Sequence, residues 1–214
     1  MTDEQQIIRL IQSHKQLERF DYSKAVDWAI DLIRQGKETD NVLMLASFSE
    51  PIDRFEISPY VTNVLNDFGL EELDYNSAVI ANAHYHLSEI LDDKEIRKNL
   101  RSLYQLCIDN DYDPGLMNFY LIYHGWDELE KIGVNYYFDG ADLNNIQDVL
   151  KNEARKWIDK YVNGKEVDEF RQTLTTEKEK PLPTTSAISK GAGSANLKDK
   201  PLNKLWSWLT GKEL

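Results

Sequence analysis

The sequence predicts an all-α protein made of stacked antiparallel helix pairs, that is, an irregular helical bundle. Apolar residues recur at spacings of three and four through most of residues 1–174, which is the period of an amphipathic helix. Glycine, proline and capping residues interrupt these stretches at intervals of roughly 10–20 residues, as they do between helices joined by short turns. Short turns place consecutive helices side by side, so these two observations together favour stacked pairs.

The stretch from Tyr22 to Asp53 shows the pattern most clearly. Its first apolar stripe ends at Gly36, which can adopt the left-handed conformation that closes a helix. Thr39 or Asp40 can cap the next helix by accepting hydrogen bonds from its free N–H groups, and Pro51 prevents that helix from continuing. Two helices joined by so short a turn hide their apolar faces against each other, so we expect a helical hairpin here. Its second helix should bury Val42, Leu43, Leu45 and Ala46.

The other helices are placed by the same start and stop signals. We expect helices over 3–20, from Ser58-Pro59 to Gly69, from Asn76 or Ser77 to Leu91, from Asp92 or Asp93 to Ile108, over 116–123 and over 142–162. The pattern indicates a connector over Arg54 to Ile57, a helix break at Gly125 and a short helical turn over Trp126 to Ile132. Residues 133–140, GVNYYFDG, are the one place where a short hairpin or an ordered loop is expected.

Composition divides the chain into three parts. Residues 1–174 form the acidic helical domain, and residues 175–200 are rich in Ser, Thr, Gly, Pro and Lys, which is the composition of a flexible linker. Residues 201–214 return to apolar residues that share one helical stripe. These are Leu202, Leu205, Trp206 and Leu209. A helix this short needs a surface to lie on, and we expect protein rather than membrane, because stable membrane anchoring needs a second signal.

The formal net charge of −12 is unevenly distributed. Residues 175–214 contain seven lysines and four acidic residues, so they carry +3 and residues 1–174 carry −15. An anionic body repels nucleic acid and anionic membrane surfaces, so we expect neither as a partner. It attracts a basic protein, with an association rate that falls as salt is added. An acidic charge that serves solubility alone is the alternative interpretation.

The cellular location is predicted from features that the sequence lacks. No apolar run approaches the ~20 residues that cross a bilayer, and the N-terminal MTDEQQ does not resemble a secretory signal. Cys107 is the only cysteine, so an internal disulfide is excluded, which suits the reducing cytoplasm. We therefore expect a cytoplasmic protein, while its oligomeric state is left open by these features.

Motifs for catalysis or metal binding are missing or incomplete. Neither a glycine-rich phosphate loop nor a GxSxG nucleophile turn occurs. His84 and His86 point about 200° apart on a helix, and His86 with Glu89 is a single, reversed copy of the Glu-x-x-His pair that di-iron bundles use twice. The acidic run from Asp109 to Gly115 resembles the start of a calcium loop, but Pro114 stands where that loop needs glycine. We expect no cofactor, no metal and no catalytic residue.

Aromatic and acidic residues are concentrated between Phe119 and Asp139. The aromatic residues exceed what one helix face can bury, and Tyr and Trp are favoured at protein interfaces. We predict a partner-binding surface from this segment and from the C-terminal helix, formed by Tyr123, Trp126, Asp127, Glu128, Glu130, Tyr136, Tyr137, Asp139, Trp206 and Trp208. A tyrosine-rich core is the alternative interpretation of the same aromatic residues.

The segment WAIDLIRQGKETDNVLMLAS joins a Trp-Ala start, an apolar helix, a glycine and an acidic turn to a second apolar helix. It resembles a pattern in small acidic helical bacterial proteins of unknown function, some of which are similar to immunity proteins that neutralise toxins. The resemblance covers these 20 residues and carries over no site residue. It implies a helical fold and, through the immunity-like members, an inhibitory role.

The leading hypothesis is a cytoplasmic protein-binding module, specifically an immunity-type inhibitor of a basic toxin domain. It rests on the charge of −15 over residues 1–174, on the aromatic and acidic segment, and on the missing catalytic motifs. One alternative is an enzyme with an unrecognised pocket that uses His84, His86 or His124 as acid–base groups. Another is an adaptor that recruits its partner through Trp206 and Trp208.

Overall fold

The computed structural model describes residues 2–164, and within that range the chain is all α-helical with no strand. This part of the chain contains eight α-helices and a final π-helical segment: α1 Asp3–Gln12, α2 Ser23–Arg34, α3 Asp40–Ala46, α4 Arg54–Asp67, α5 Tyr75–Leu91, α6 Ile96–Asp109, α7 Met117–Ile132, α8 Ile146–Ile158 and the π-helical Asp159–Asn163. The predicted fold class is therefore confirmed. The linker predicted over 175–200 and the helix predicted over 201–214 lie outside the described residues.

Helix α5 is the most deeply buried of these helices and contacts α1, α6 and α8. Ten of its seventeen residues are buried, because small side chains such as Ala78, Ala81 and Ala83 let neighbouring helices approach on several sides. Contacts between consecutive helices complete the bundle, from α2 to α4 and from α5 to α8. Even α5, the longest helix within residues 2–164, lacks the length and apolar character needed to cross a bilayer, as do the others in that range.

The α2–α3 hairpin forms as the sequence predicts. Gly36 has φ of +71°, and the Thr39 hydroxyl caps α3 by accepting a hydrogen bond from the Val42 N–H at 3.1 Å. The predicted burial of Leu43 is wrong, since 47% of this residue is exposed. A helix of seven residues presents too narrow a face to bury more than Val42 and Leu45 fully.

Helix α4 begins one turn earlier than predicted, so Arg54 to Ile57 is helical and is not a connector. Asp53 is the reason, because its carboxylate accepts hydrogen bonds from the N–H groups of Phe55 and Glu56 at 2.7 and 3.1 Å. Pro59 then lies in the second turn of the helix. Its missing N–H affects only the carbonyl of Phe55, whose side chain is on an exposed face of the helix.

Helix α7 runs through Gly125 without a break, so the predicted stop at this glycine is wrong. The glycine serves close packing instead, since a Cβ atom there would lie 2.6 Å from Oδ1 of Asn135. Helix α8 is shorter than the predicted helix over 142–162. Asp142 and Asn145 form a hydrogen-bonded turn before it, with the Asp142 N–H donating to Asn145 Oδ1 at 2.8 Å.

Three other helix ends also differ from prediction. Helix α1 ends at Gln12, and the chain then turns through a connector to Tyr22 that buries Ser13, His14, Leu17 and Phe20. Asp74 caps α5 by accepting from the Ser77 N–H at 3.0 Å, in place of the predicted Asn76 or Ser77. Helix α6 starts after Glu95, whose φ of 38° is left-handed, and not at Asp92 or Asp93. Hydrophobic periodicity does not reveal capping by an upstream aspartate or a left-handed turn residue, so the starts of α5 and α6 were misplaced.

Candidate functional site

Rings from α6, α7 and the two flanking loops form one aromatic cluster. It consists of Tyr104, Tyr112, Tyr120, Tyr123, His124 and Tyr137. Tyr120, Tyr123 and His124 share a side of α7 because residues three and four apart are neighbours on a helix. Tyr104 faces them from α6, which packs against α7.

The rings of the aromatic cluster make direct contacts with one another. The ring of Tyr104 stacks on Tyr123 with centroids 4.3 Å apart, and on Tyr120 with centroids 5.3 Å apart. His124 presents its edge to Tyr120 at 4.7 Å, and Tyr137 lies 5.3 Å from His124. Such contacts hold the rings at fixed orientations, so the cluster offers a pre-arranged aromatic surface.

Asn135 orders the loop that carries Tyr137. Its Oδ1 accepts hydrogen bonds from the N–H groups of Tyr137 and Phe138 at 2.9 and 3.0 Å, while its Nδ2 donates to the carbonyls of Phe138 and Ala141. The absence of a side chain at Gly125 gives the Asn135 amide its place against α7. Residues 133–140 are therefore the ordered loop that the sequence prediction allowed, and they form no hairpin strand.

Exposed apolar residues are concentrated beside the aromatic cluster. Nine large apolar residues are exposed within residues 2–164, and five of them lie between positions 132 and 143. These five are Ile132, Val134, Tyr136, Tyr137 and Leu143, of which Tyr136 is the most exposed at 78%. A concentration of exposed apolar residues on one segment is typical of an interaction surface, whereas scattered single ones are not.

Acidic residues greatly outnumber basic residues in the same part of the sequence. Between positions 104 and 145 the chain has eight acidic residues and one basic residue, Lys131. Asp127 is paired with Lys131 at 2.7 Å, and the hydrogen bond from that lysine lowers the pKa of the Asp127 carboxyl. Glu128 and Asp139 have no ion-pair partner among the described residues. The aromatic cluster, the five exposed residues and the carboxylates of Asp127, Glu128, Glu130 and Asp139 are here called the aromatic–acidic face, and its net charge is negative.

Trp126 lies beneath this face and is 6% exposed, so it supports the face from inside the core. The guanidinium of Arg97 lies 4.6 Å from the Trp126 ring and 5.8 Å from the Tyr123 ring. Its Nη2 donates to Glu130 at 3.0 Å, whereas its Nη1 is buried without a hydrogen-bond partner. The ring faces therefore provide the remaining environment of this cation, in a cation–π arrangement.

The structure brings together seven of the residues predicted for partner binding. These are Tyr123, Asp127, Glu128, Glu130, Tyr136, Tyr137 and Asp139, all on α7 or on the loop after it. Trp126 lies behind them, and Trp206 and Trp208 lie outside the described residues. Sequence reasoning missed Tyr104, whose position at the edge of the apolar stripe of α6 was the available signal.

The three histidines proposed as acid–base groups lie in different environments. His84 is buried within α5, and burial lowers its pKa. His86 is hydrogen-bonded to Asn99 of α6, while His124 belongs to the aromatic cluster. The prediction that one of them acts as an acid–base group stays a prediction.

Sequence reasoning also missed His14, whose side chain is completely buried. Its Nδ1 lies 3.4 Å from both Tyr22 Oη and Ser58 Oγ, and its Nε2 lies 3.4 Å from Glu72. Burial lowers the pKa of His14 to about 4, although Glu72 opposes this effect. The serine, histidine and carboxylate resemble a hydrolase relay, but no substrate can reach a fully buried ring. His14 instead joins the α1–α2 connector to α4.

No three His, Cys, Asp or Glu side chains within residues 2–164 are placed to hold a metal ion. In the acidic run 109–115, Asp113 is buried and accepts from the Gly115 N–H at 2.6 Å, which is a turn contact.

The chain matches no family model, no curated protein and no solved structure. The case for a function therefore depends on the geometry of the chain itself.

Proposed function

We propose that this chain is a protein-binding module whose aromatic–acidic face recognises a basic protein domain. We further propose that it acts in the cytoplasm as an immunity-type inhibitor of that domain. The observation that carries the proposal is the concentration of exposed apolar residues between positions 132 and 143 beside an ordered aromatic cluster. The resemblance of residues 28–47 to a pattern in small acidic helical bacterial proteins of unknown function, some of them immunity-like, supports the inhibitory role.

The size of the side chains on this face suits a protein partner. An aromatic side chain buries about 150–250 Å² when it is fully covered, and a stable interface buries about 800 Å² on each partner. Tyr112, Tyr136 and Tyr137 with Ile132 and Leu143 supply a large share of that area. Tyrosine also loses little conformational entropy on binding, so these residues are suited to be energetic hot spots.

The charge of the face suits a basic partner. Asp139 and Glu128 are not paired with cations within residues 2–164, so a partner's lysine or arginine can approach them without breaking an existing ion pair. The pairing of Arg97 with Trp126 and Glu130 shows that this chain accommodates a guanidinium between a ring face and a carboxylate. Charge complementarity of this kind accelerates association and rejects acidic competitors.

Affinity capture with paired variants tests this proposal. The variant with both Tyr136→Ser and Tyr137→Ser removes two exposed rings from the face, and Phe55→Ser removes a ring from α4 that is 87% exposed, as the control. The immobilised wild type and Phe55→Ser should retain a basic protein from the native host at low salt, and the double variant should lose it. Retention of the same basic protein by all three, or of none by the wild type, would contradict the proposal.

The inhibitory role has its own test. Expression of the captured basic protein should slow growth of a heterologous host, and coexpression of this chain should restore growth. The double tyrosine variant should fail to restore growth, while Phe55→Ser should succeed. A basic partner that binds this face without toxicity would leave the binding proposal standing and would remove the immunity role.

A further inference from the structure

Glu128 and Tyr136 lie side by side at the C-terminal end of α7. The backbone N–H of Tyr136 donates to Glu128 Oε2 at 3.3 Å, so the loop after the helix folds back over its last turns. Asn135 fixes the same loop through its hydrogen bonds to the N–H groups of Tyr137 and Phe138. The ring of Tyr136 is attached beside the bonded N–H, so ring and carboxylate are held near each other before any partner binds.

The ring of Tyr136 is open to solvent. This residue is 78% exposed, and it packs against no other aromatic ring among residues 2–164. Its neighbour Tyr137 differs, because the ring of His124 lies 5.3 Å from it. Tyr136 is therefore the ring of the aromatic–acidic face that can best receive a flat group against its surface.

The negative charge of Glu128 is not neutralised by the described part of the chain. Its carboxylate accepts the N–H of Tyr136 and has lone pairs left for further donors. Lys131, the one basic residue between positions 104 and 145, is paired with Asp127 at 2.7 Å. The C-terminal end of a helix adds partial negative charge, so this position favours a cation.

The same helix already holds one guanidinium between a ring and a carboxylate. The guanidinium of Arg97 lies 4.6 Å from the ring of Trp126, and its Nη2 donates to Glu130 at 3.0 Å. Trp126 and Glu130 are four residues apart, so they share a side of α7. Glu128 and Tyr136 repeat this combination of one ring and one carboxylate, but they are accessible to another molecule.

From this repetition we propose that arginine is the side chain that the face selects in its basic partner, with the guanidinium on the ring of Tyr136 and paired with Glu128. The inference rests on the proposed function, since it names the anchor that the partner supplies. A guanidinium is planar and weakly hydrated, so it can stack on a ring while its forked N–H groups donate to a carboxylate. The ammonium of lysine is compact and strongly hydrated, so it gains less from the ring.

Nuclear magnetic resonance of the ¹⁵N-labelled full chain tests the proposal with hexa-arginine and hexa-lysine peptides at low salt. The two peptides have the same charge, so the acidic body attracts both equally and their difference reports the side chain. Both should shift the amide resonance of Tyr136 saturably. Hexa-arginine should bind about fivefold more tightly, which is the scale of one exposed cation–π contact.

Paired variants assign that preference to the two residues. Glu128→Gln keeps an oxygen that can accept the N–H of Tyr136 but removes the charge, and Tyr136→Leu keeps apolar bulk but removes the ring. Each should lower the arginine-to-lysine ratio to below about twofold. Tyr136→Phe keeps the ring, and Glu38→Gln removes an exposed carboxylate from the α2–α3 turn, so both should keep the wild-type ratio. Unchanged amide shifts over residues 137–141 in the free variants check the order of the loop.

Equal affinity of the two peptides for the wild type would overturn the proposal, as would a fivefold ratio that survives either Glu128→Gln or Tyr136→Leu. The peptides report on the site without the partner, so this test is separate from affinity capture. Capture of a basic protein together with equal peptide binding would leave the protein-binding proposal standing and would remove only the arginine anchor. An arginine preference at Tyr136 with no captured basic protein would support the anchor and contradict the proposed function.

Discussion

A single buried histidine, His14, links three parts of the chain and makes the stability of the fold depend on pH. His14 contacts Tyr22, Ser58 and Glu72, which belong to three different parts of the chain. Its side chain is completely enclosed, so the proton that an unfolded chain would take up near neutral pH is excluded from the folded state. The stability of the fold is therefore linked to pH through this one ring.

Because folding lowers the pKa of His14, the folded protein binds its proton less readily than the unfolded chain does. Above pH 6.5 His14 is neutral in both states and adds nothing to the pH dependence. Between pH 6.5 and about 4 the unfolded chain is protonated first, so the free energy of unfolding falls as the pH falls. Over this pH range His14 lowers the free energy of unfolding by about 3 kcal/mol in total, since one pKa unit corresponds to about 1.4 kcal/mol.

Urea unfolding of the wild type and of His14→Gln checks this prediction. Glutamine does not titrate, so the free energy of unfolding of the variant should fall less steeply between pH 6.5 and about 4. The other histidines are unchanged and contribute equally to both proteins. Parallel pH profiles for the two proteins would show that His14 does not carry the linkage.

Whole elements were predictable where a sequence signal acts locally. The α2–α3 hairpin was correct because Gly36 and Thr39 each act within one turn of their own position. The start of α4 was misplaced because Ser58-Pro59 and Asp53 are both acceptable helix starts, and periodicity cannot choose between them. Gly125 was misjudged because its role depends on Asn135, a residue whose position is known only after the chain has folded.

The candidate site was predictable to a similar degree. The aromatic and acidic residues on α7 and its following loop are consecutive in sequence, so their composition revealed them. Tyr104 comes from another helix and was missed for that reason. The burial of Trp126 depends on Arg97 and the packing of α6 against α7, which composition does not indicate.

Gly125→Ala tests the packing of α7 against its loop. Alanine favours a helix interior over glycine by roughly 1 kcal/mol, but the new Cβ would lie 2.6 Å from the Asn135 oxygen that holds the loop. We expect the clash to dominate, because Asn135 must move and its bonds to the N–H groups of Tyr137 and Phe138 are lost. Hydrogen exchange of residues 133–141 should accelerate at least tenfold.

The helix content of the Gly125→Ala variant should remain unchanged, since the helix itself tolerates alanine. A variant that is more stable than the wild type, with the exchange of the loop unaltered, would show that Asn135 has room to yield. In that case the glycine would not be required for the loop. The order of the aromatic–acidic face would then need another explanation.

On the scale of the whole molecule, negative charge is spread over residues 1–174, whereas exposed apolar residues are concentrated on the aromatic–acidic face. Residues 1–174 carry a net charge of −15, and the acidic residues of the aromatic–acidic face lie beside its exposed rings. Under the proposed function, we expect a basic partner to be attracted from a distance by the whole body and then held by contacts at the face. The two steps act on different rate constants, so kinetics can separate them.

Removal of one unpaired carboxylate from the face should slow association. Asp139→Asn should lower the association rate with the captured basic partner by roughly two- to threefold at low salt, with little change in dissociation. Glu38→Gln removes an exposed carboxylate from the α2–α3 turn and is the matched control. Surface plasmon resonance at two salt concentrations measures both rates, and equal effects of the two variants would argue against a local role for Asp139.

Hydrogen exchange of this chain with and without its basic partner tests the central claim most directly. The account predicts that binding slows exchange at residues 132–143 and at the exposed turns of α7, and leaves the α2–α3 hairpin unchanged. Protection confined to the α2–α3 hairpin, with residues 132–143 exchanging as in the free protein, would contradict it.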